Sequence, residues 1–542
     1  MSWSSSSSFL QSSLPLSLYI HIIYLTRRVF ASHIKNHLIR MASAYILDVW
    51  GWINNLAPFS QWNTNSMSLC ICVAKSTTQP SIHLSITGSP PGQNPYITFH
   101  ISASLQVPIT ITLWTSNSFP LKSKSQQSLD EDTLLQLFYS IINGVLGYGP
   151  SKKSSFRLPA VRMREELRDV FNMAFLTLAF LVCIYEAPQD LRSECIDTLR
   201  LQLTSSRSRE ASKMLVRVLG SNLEEQWMRS LNLAITNCMI ELQTSNYLYR
   251  TPSPLFSYAV SATGLWKVQL FCPIVAMNLE DPSSTTQDER LLFSLNYQQL
   301  EGVIQLAYKV IYRANWIDVV VSVDNVRCDV NPLISENLMD ERGYGSEEKH
   351  FPSRISLRLT PTVQSDVVSV TVSKSSDNPT HEVGLERTLE GSFDPPNSYL
   401  GLRMAASESV TMSMKPWKFE QSVHGDSTYL NWFLHDGANG REVFSSKPSK
   451  LSLFQPRAWF RDRYSSAYRP FTKQGGVVFA GDEYGESVWW KVCGRALGKT
   501  MEWEIKGWIW LTYWPNKQRT LHTETRRLEF RELLHLPLGR LD

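Results

Sequence analysis

Met501-Glu-Trp-Glu-Ile-Lys-Gly-Trp-Ile-Trp-Leu-Thr-Tyr513 is the stretch on which the fold turns. Side chains along a β-strand point alternately to opposite faces. Trp503, Ile505, Gly507, Ile509, Leu511 and Tyr513 therefore share one face. Glu502, Glu504, Lys506, Trp508, Trp510 and Thr512 share the other. Tryptophans on both faces of one strand suit a sheet covered on both sides, with arginines snorkelling at its edges.

Reading outward, Arg354–Thr360 alternates in the same way, with Ile355, Leu357 and Leu359 on one side. Val367–Val372, Gly475–Ala480 and Ser487–Val492 also read as strands. Residues 354–542 are thus expected to form a β-rich, Trp-dense domain. The preceding stretch, 332–353, holds two prolines, two glycines and a run of acids, and reads as a solvated linker or long loop.

Residues 41–331 read as an α+β domain. Ser66–Ala74, Ile82–Thr87, Tyr96–Ile101 and Val107–Trp114 predict an antiparallel meander over 66–115. A helical block spans 128–245. Ser128-Leu-Asp-Glu131 is a capping-box pattern, and Leu134, Leu137, Phe138, Ile141, Ile142 and Val145 follow at helical spacing. A second helix is expected over 161–186, and a third opens at Ser221-Asn-Leu-Glu224. Mixed structure follows over 256–331. There Leu265–Met277 and Leu291–Leu295 read as strands and Tyr297–Tyr312 as a helix. Trp316–Val323 and Val326–Val330 read as a hairpin about Asp324-Asn325. The fold class is therefore α+β: antiparallel sheets, a central helical block and a β-rich C-terminal domain.

A composition of 43% hydrophobic and 19% charged residues excludes a disordered chain. The eight cysteines, among them Cys70 and Cys72, are scattered without a CxxC pair, and no open glycosylation sequon occurs, which points to a reducing compartment. Cytoplasm or nucleus is the expectation. Residues 1–40 bring the alternatives: an upstream extension before a working start at Met41, a chloroplast-type transit segment, or an anchor over 9–26. Val170–Tyr185 carries no charge over 16 residues, short of the roughly 20 that cross a bilayer, and reads as a buried helix. No integral membrane span is expected.

No phosphate loop, dinucleotide fingerprint, HExxH or GxSxG motif is present, so no cofactor is expected. Cys70 and Cys72 with His83 and His100 could approach one another on neighbouring strands, but four zinc ligands at usable spacing are not evident, and no metal is expected. His424, His435 and Asp482 lie in polar loops and are weak candidates for acid–base chemistry. The richest region is 457–531. Residues 441–542 carry 18 Lys and Arg against 11 Asp and Glu. Interleaved cations and rings there, notably Arg461, Arg463, Trp508, Trp510 and Trp514, suit contact with a protein partner or an anionic ligand.

Met41-Ala-Ser-Ala-Tyr-Ile-Leu-Asp-Val-Trp50, Tyr399-Leu-Gly-Leu-Arg403, Met414-Lys-Pro-Trp-Lys418 and Trp503-Glu-Ile-Lys-Gly-Trp508 resemble a plant-specific family of uncharacterised proteins, over most of residues 41–538. Some of its members carry an erythronate-4-phosphate dehydrogenase label, which the missing glycine fingerprint does not support here. The reading reached is a non-catalytic binding or scaffold protein that uses its basic, aromatic C-terminal β domain. The alternatives are an enzyme built on loop acids and histidines around 424–486, or a dehydrogenase-like protein by label alone.

Overall fold

The computed structural model describes residues 47–57, 66–73, 81–89, 96–105, 109–121, 129–150, 167–243, 256–280, 287–345, 348–372, 381–391, 404–414, 417–434, 477–480, 487–513 and 522–539. The architecture is α+β, and every strand pair is antiparallel.

In sheet I, β1 (Ser66–Val73), β2 (Ser81–Gly88), β3 (Tyr96–Ser104) and β4 (Thr110–Thr115) pair in chain order, and β5 (Phe119–Pro120) adds to β3. This is the expected meander. Around it lie α1 (Val49–Asn54), α2 (Glu131–Gly147), α3 (Arg168–Glu186), α4 (Gln189–Leu203), α5 (Ser206–Leu219) and α6 (Ser221–Gln243). Sheet and helices share one apolar core, which includes Ile82, Phe99, Phe138, Phe171 and Trp227. Among the described residues α3 alone is long and apolar enough to cross a membrane, and 83% of its apolar window is buried inside the protein. It is the central core helix. Its N-terminal end is tied to α1. Asp48 caps α1 through Gly51 N and pairs with Arg168, while Asn172 accepts from Trp50 N at 2.9 Å. The Arg168 guanidinium outweighs burial and lowers the Asp48 carboxyl to about 2.

Two further sheets stack face to face. Sheet II runs in the order β12 (Val367–Val372), β18 (Ser487–Cys493), β10 (Trp316–Pro332), β9 (Gln298–Tyr312), β7 (Leu265–Pro273), β6 (Ser257–Ala262), and β17 (Val477–Ala480) also pairs with β10. Sheet III runs β15 (Trp417–His424), β16 (Ser427–Leu434), β11 (Phe351–Pro361), β19 (Thr500–Tyr513), β20 (Glu524–Pro537), β8 (Asn278–Leu279). A two-stranded ribbon of β13 (His381–Gly391) and β14 (Met404–Met414) pairs over eleven positions. Helices α7 (Glu289–Asn296) and α8 (Glu336–Arg342) flank β9 and β10 in sequence.

The inward face of β19 is the one read from the sequence: Trp503, Ile505, Ile509, Leu511 and Tyr513 are all fully buried. Trp503 sits between Trp490 of sheet II, edge-on at 4.7 Å, and Trp266 of sheet II at 5.5 Å. Trp490 donates its indole N–H to Asp426 O at 3.0 Å, whereas those of Trp266 and Trp503 have no acceptor among the described residues. Each unmade bond costs about 1–3 kcal/mol, so apolar burial must outweigh it. Gly507 is needed at its position. Its partner across the strands is Phe530, and a Cβ on Gly507 would lie 2.1 Å from that ring.

Several local expectations are corrected. The segment expected as a helix over Tyr297–Tyr312 is strand β9 from Gln298 on: Leu300 and Ile304, four apart, fit either period, and Leu306 fits only the period of two. Ladders with β7 and β10 on its two sides decide the matter. Leu291–Leu295 lies in helix α7, which Asp288 caps through Arg290 N and Leu291 N. The hairpin about Asp324-Asn325 does not form. β10 runs straight through, and its register against β9 shifts between Val323 and Asn325, so the turn-like dipeptide serves a bulge. Asp130, not Ser128, caps α2, through Thr133 N; Ser128 lies outside the described residues. Residues 332–353 hold helix α8 and the buried Glu348 and His350 rather than a solvated linker. Sheet II takes β10 from before that stretch and β12 and β18 from after it, so the sheets do not divide there. Residues 1–46, and with them the anchor, transit and Met41 readings, lie outside the described residues.

Substituting Gly507→Ala should destabilise the fold by about 1–3 kcal/mol through overpacking against Phe530. A second change, Phe530→Leu, should recover part of that loss. Urea unfolding followed by tryptophan fluorescence, set out as a double-mutant cycle, measures both.

Candidate functional site: the outer face of sheet III

Because Trp503 and its neighbours face inward, the even-numbered residues of β19 face outward. Cross-strand registers order this face into three rows. One runs Lys418, Phe433, Arg354, Trp510, Arg527; the next Glu420, Asn431, Ser356, Trp508, Glu529; the third Ser422, Tyr429, Arg358, Lys506, Arg531. The three rows hold six cations and two carboxylates; with Glu502 and Glu504, which β19 turns to the same side, the face carries six cations against four carboxylates and stays net positive.

The cations lie on the rings. The Arg354 guanidinium is 4.5 Å from the Trp510 ring centre and 4.9 Å from that of Phe433. Lys506 Nζ is 5.0 Å from the Trp508 ring and 2.6 Å from Glu529 Oε1. Such contacts contribute about 0.5–2 kcal/mol each, more as water is excluded. In the adjoining row Glu504 takes Arg358 at 2.7 Å and also pairs with Arg531. Burial pushes the Glu504 carboxyl up, but the two guanidinium groups outweigh it and hold it below its ordinary value. Lys506 likewise lowers Glu529.

Of the contact residues expected from sequence, Trp510 is only 7% exposed and Trp508 is half-buried. An open aromatic platform is therefore not what they form; the rings sit under cations, and the accessible chemistry is charge. Arg461, Arg463 and Trp514 lie outside the described residues. So do His435 and Asp482, while His424 is exposed beside the Gly425-Asp426 turn with its ring 5.3 Å from Tyr429. On sheet I a bulge between Cys70 and Cys72 breaks the alternation, so Ile71 and Cys72 are both buried. His83 bonds Ser81 Oγ at 2.7 Å, and His100 bonds Thr87 and Thr115. Among the described residues no three His, Cys, Asp or Glu side chains converge as metal ligands.

Sequence reasoning missed a buried ionic cluster at the start of β20. His522, Glu524 and Arg526 occupy the register that continues as Leu528 and Phe530, the core face. Polar residues at core positions were the available signal. Glu524 accepts from His350 Nε2 at 2.7 Å, Arg526 Nε at 2.8 Å and His522 Nε2 at 3.3 Å. Burial pushes the Glu524 carboxyl up, but these nitrogen partners override it and hold it far below the carboxylate range. Nearby, Tyr513 donates to Glu348 Oε2 at 2.7 Å. Farther along the same face, the buried Glu532 accepts from Ser257 at 2.6 Å and pairs with Arg209 of α5, joining the helical block to the sandwich.

No family model matches the chain, and no curated protein matches it. Solved structures that match include Clostridium perfringens delta-toxin, at 10% identity over 52% of this chain and 96% of that one, with a TM-score of 0.21. The membrane-inserted form of the Clostridium perfringens NetB toxin matches at 6% identity over 52% and 98%, with a TM-score of 0.16. A pore-forming protein matches at 8% over 52% and 88%, with a TM-score of 0.15. Likeness at this level carries neither fold nor function across.

Replacing Glu524 with alanine strands Arg526 and two histidines in the core. The expected cost is about 3–5 kcal/mol, as for other broken buried pairs, and chemical denaturation measures it.

Proposed function

We propose that the protein is a non-catalytic binding protein, and that the outer face of sheet III meets an anionic ligand or an acidic surface of a protein partner. The observation that carries this reading is the outer face of sheet III, on which six cations outnumber four carboxylates, Glu420, Glu529, Glu502 and Glu504. Arg531 keeps 67% of its side chain in water and Lys418 48%, so charge is presented although each also touches a carboxylate. Arg461 and Arg463, read from the sequence as contact residues for such a partner, belong to the same proposal and lie outside the described residues. Membership of the plant-specific family and residence in the cytoplasm or nucleus belong to this proposal.

Heparin serves as a defined polyanion probe. The full chain should be retained on it and released by salt, since exposed charges are screened. Lys506→Glu with Arg531→Glu should weaken binding by about thirtyfold, from roughly 1 kcal/mol for each of the two cations near an anionic surface. Arg461→Glu with Arg463→Glu is the parallel variant for the second segment. Equal elution of wild type and the 506/531 variant would exclude this face as the contact surface.

A further inference from the structure

Residues 49–129, which hold all of sheet I, contain no aspartate or glutamate. Their basic residues are His83 and His100, together with Lys75, Lys122 and Lys124, which lie outside the described residues. One face of the sheet is apolar and packs on the helices, where Ile82, Leu84, Phe99 and Ile101 are fully buried. The other face carries hydroxyls. Cross-strand registers place the histidines in two of its rows: Ser68, Ser85, His100, Thr115, and Cys70, His83, Ser102, Thr112. The rows on either side hold serine and threonine only. The two histidines are diagonal neighbours on β2 and β3, roughly 7–8 Å apart by ordinary sheet spacing.

Both rings are half-buried and bonded only to hydroxyls. His83 Nε2 is 2.7 Å from Ser81 Oγ. His100 Nε2 is 2.9 Å from Thr87 Oγ1, and its Nδ1 is 3.0 Å from Thr115 Oγ1. A hydroxyl can donate or accept, so these bonds satisfy a neutral ring, but they give an imidazolium no counter-charge. Cys70 and Tyr96 are the other titratable groups on this face, and neither is a carboxylate. On the helical side, α3 packs against β4 and α4 against β1. The described charged groups of α3 are Arg168, Asp169 and Glu186, held by Asp48, Arg207 and Tyr148. Those of α4 are Arg192, paired with Glu241, and Arg200, paired with Asp197. Helix α2, whose Gly144 lies against Trp114 of β4, bears Glu131 and Asp132 in its first turn. None of these bonds either ring. Burial pushes both rings towards the neutral form, and among the described residues no charged partner pulls either one back. His350, by contrast, has the Glu524 carboxylate at 2.7 Å.

We infer that sheet I is an acid-loosened cover on the helical core: protonating His83 and His100 puts two uncompensated charges side by side on its outer face, and the sheet then opens more readily. Opening it uncovers the apolar core that it shares with α3. The sign follows from linkage. Both rings titrate lower in the fold than the roughly 6.5 of an unfolded histidine, so the opened chain takes up protons more readily. This contribution to stability is fully present above about pH 6.5 and is lost as pH falls through the folded values.

Full-length protein labelled with 15N-histidine reads both titrations by NMR. Two rings should titrate below about pH 6.5, and His83→Gln and His100→Gln should each remove one of them. Hydrogen exchange of β2 and β3, corrected for intrinsic rate, should accelerate at least about threefold between pH 7 and 5 in wild type. The double variant His83→Gln with His100→Gln should lose most of that acceleration, since glutamine still bonds hydroxyls but takes up no proton. Should the double variant fail to fold, each single variant should lose part of it. Titration of either ring at or above 6.5, pH-independent exchange of β2 and β3 in wild type, or equal acceleration in wild type and the variants overturns the inference.

Discussion

The placement of the Trp503 indole between Trp490 and Trp266 is the constraint on which the rest of the sandwich depends. A strand's side chains alternate strictly, so a slip of one residue would turn every inward group outward. With Trp503 committed to the interior, Lys506, Trp508 and Trp510 have no choice but the outer face. Registers with β11 and β20 then bring Arg354 and Arg527 beside Trp510, and Arg358 and Arg531 beside Lys506. The positive outer face and the apolar inner face are two consequences of one register.

The same face of β20 shows how charge is admitted to a core. Glu524 and Glu532 sit at positions that the alternation reserves for apolar residues, at 6% and 1% exposure. Each is surrounded by donors drawn from distant parts of the chain: His350, Arg526 and His522 for the first, Arg209 and Ser257 for the second. Desolvating a carboxylate costs several kcal/mol, and only such partners offset it. The contacts that result are specific. Glu532 registers the helical block against the sandwich, and Glu524 registers His350, just before β11, against the start of β20.

Much of this was legible in the sequence wherever one period dominated. The meander of sheet I, the buried α3 and the two-faced β19 follow from apolar spacing alone. Reading failed where two periods fit the same residues, as with Leu300 and Ile304 in β9, four apart, although Leu306 fits only the strand. It failed again at Asp324-Asn325, where turn chemistry served a bulge inside a long strand. Domain grouping was not legible, because the pairing of β10 with β18 joins residues more than 150 positions apart and leaves no local mark. For the outer face, the residue types at Trp508 and Trp510 were visible. That arginine and lysine would cover those rings depended on cross-strand neighbours, which a single chain read in one dimension does not reveal.

Amide hydrogen exchange along β19 tests the central claim most directly. Its amides lie in the interior of sheet III, paired to β11 on one side and β20 on the other. Peptides covering residues 501–513 should be among the slowest in the chain and should open only with global unfolding. Complete exchange of that stretch within seconds under native conditions would contradict a tryptophan-filled sandwich, and the outer face ordered by it would fall as well.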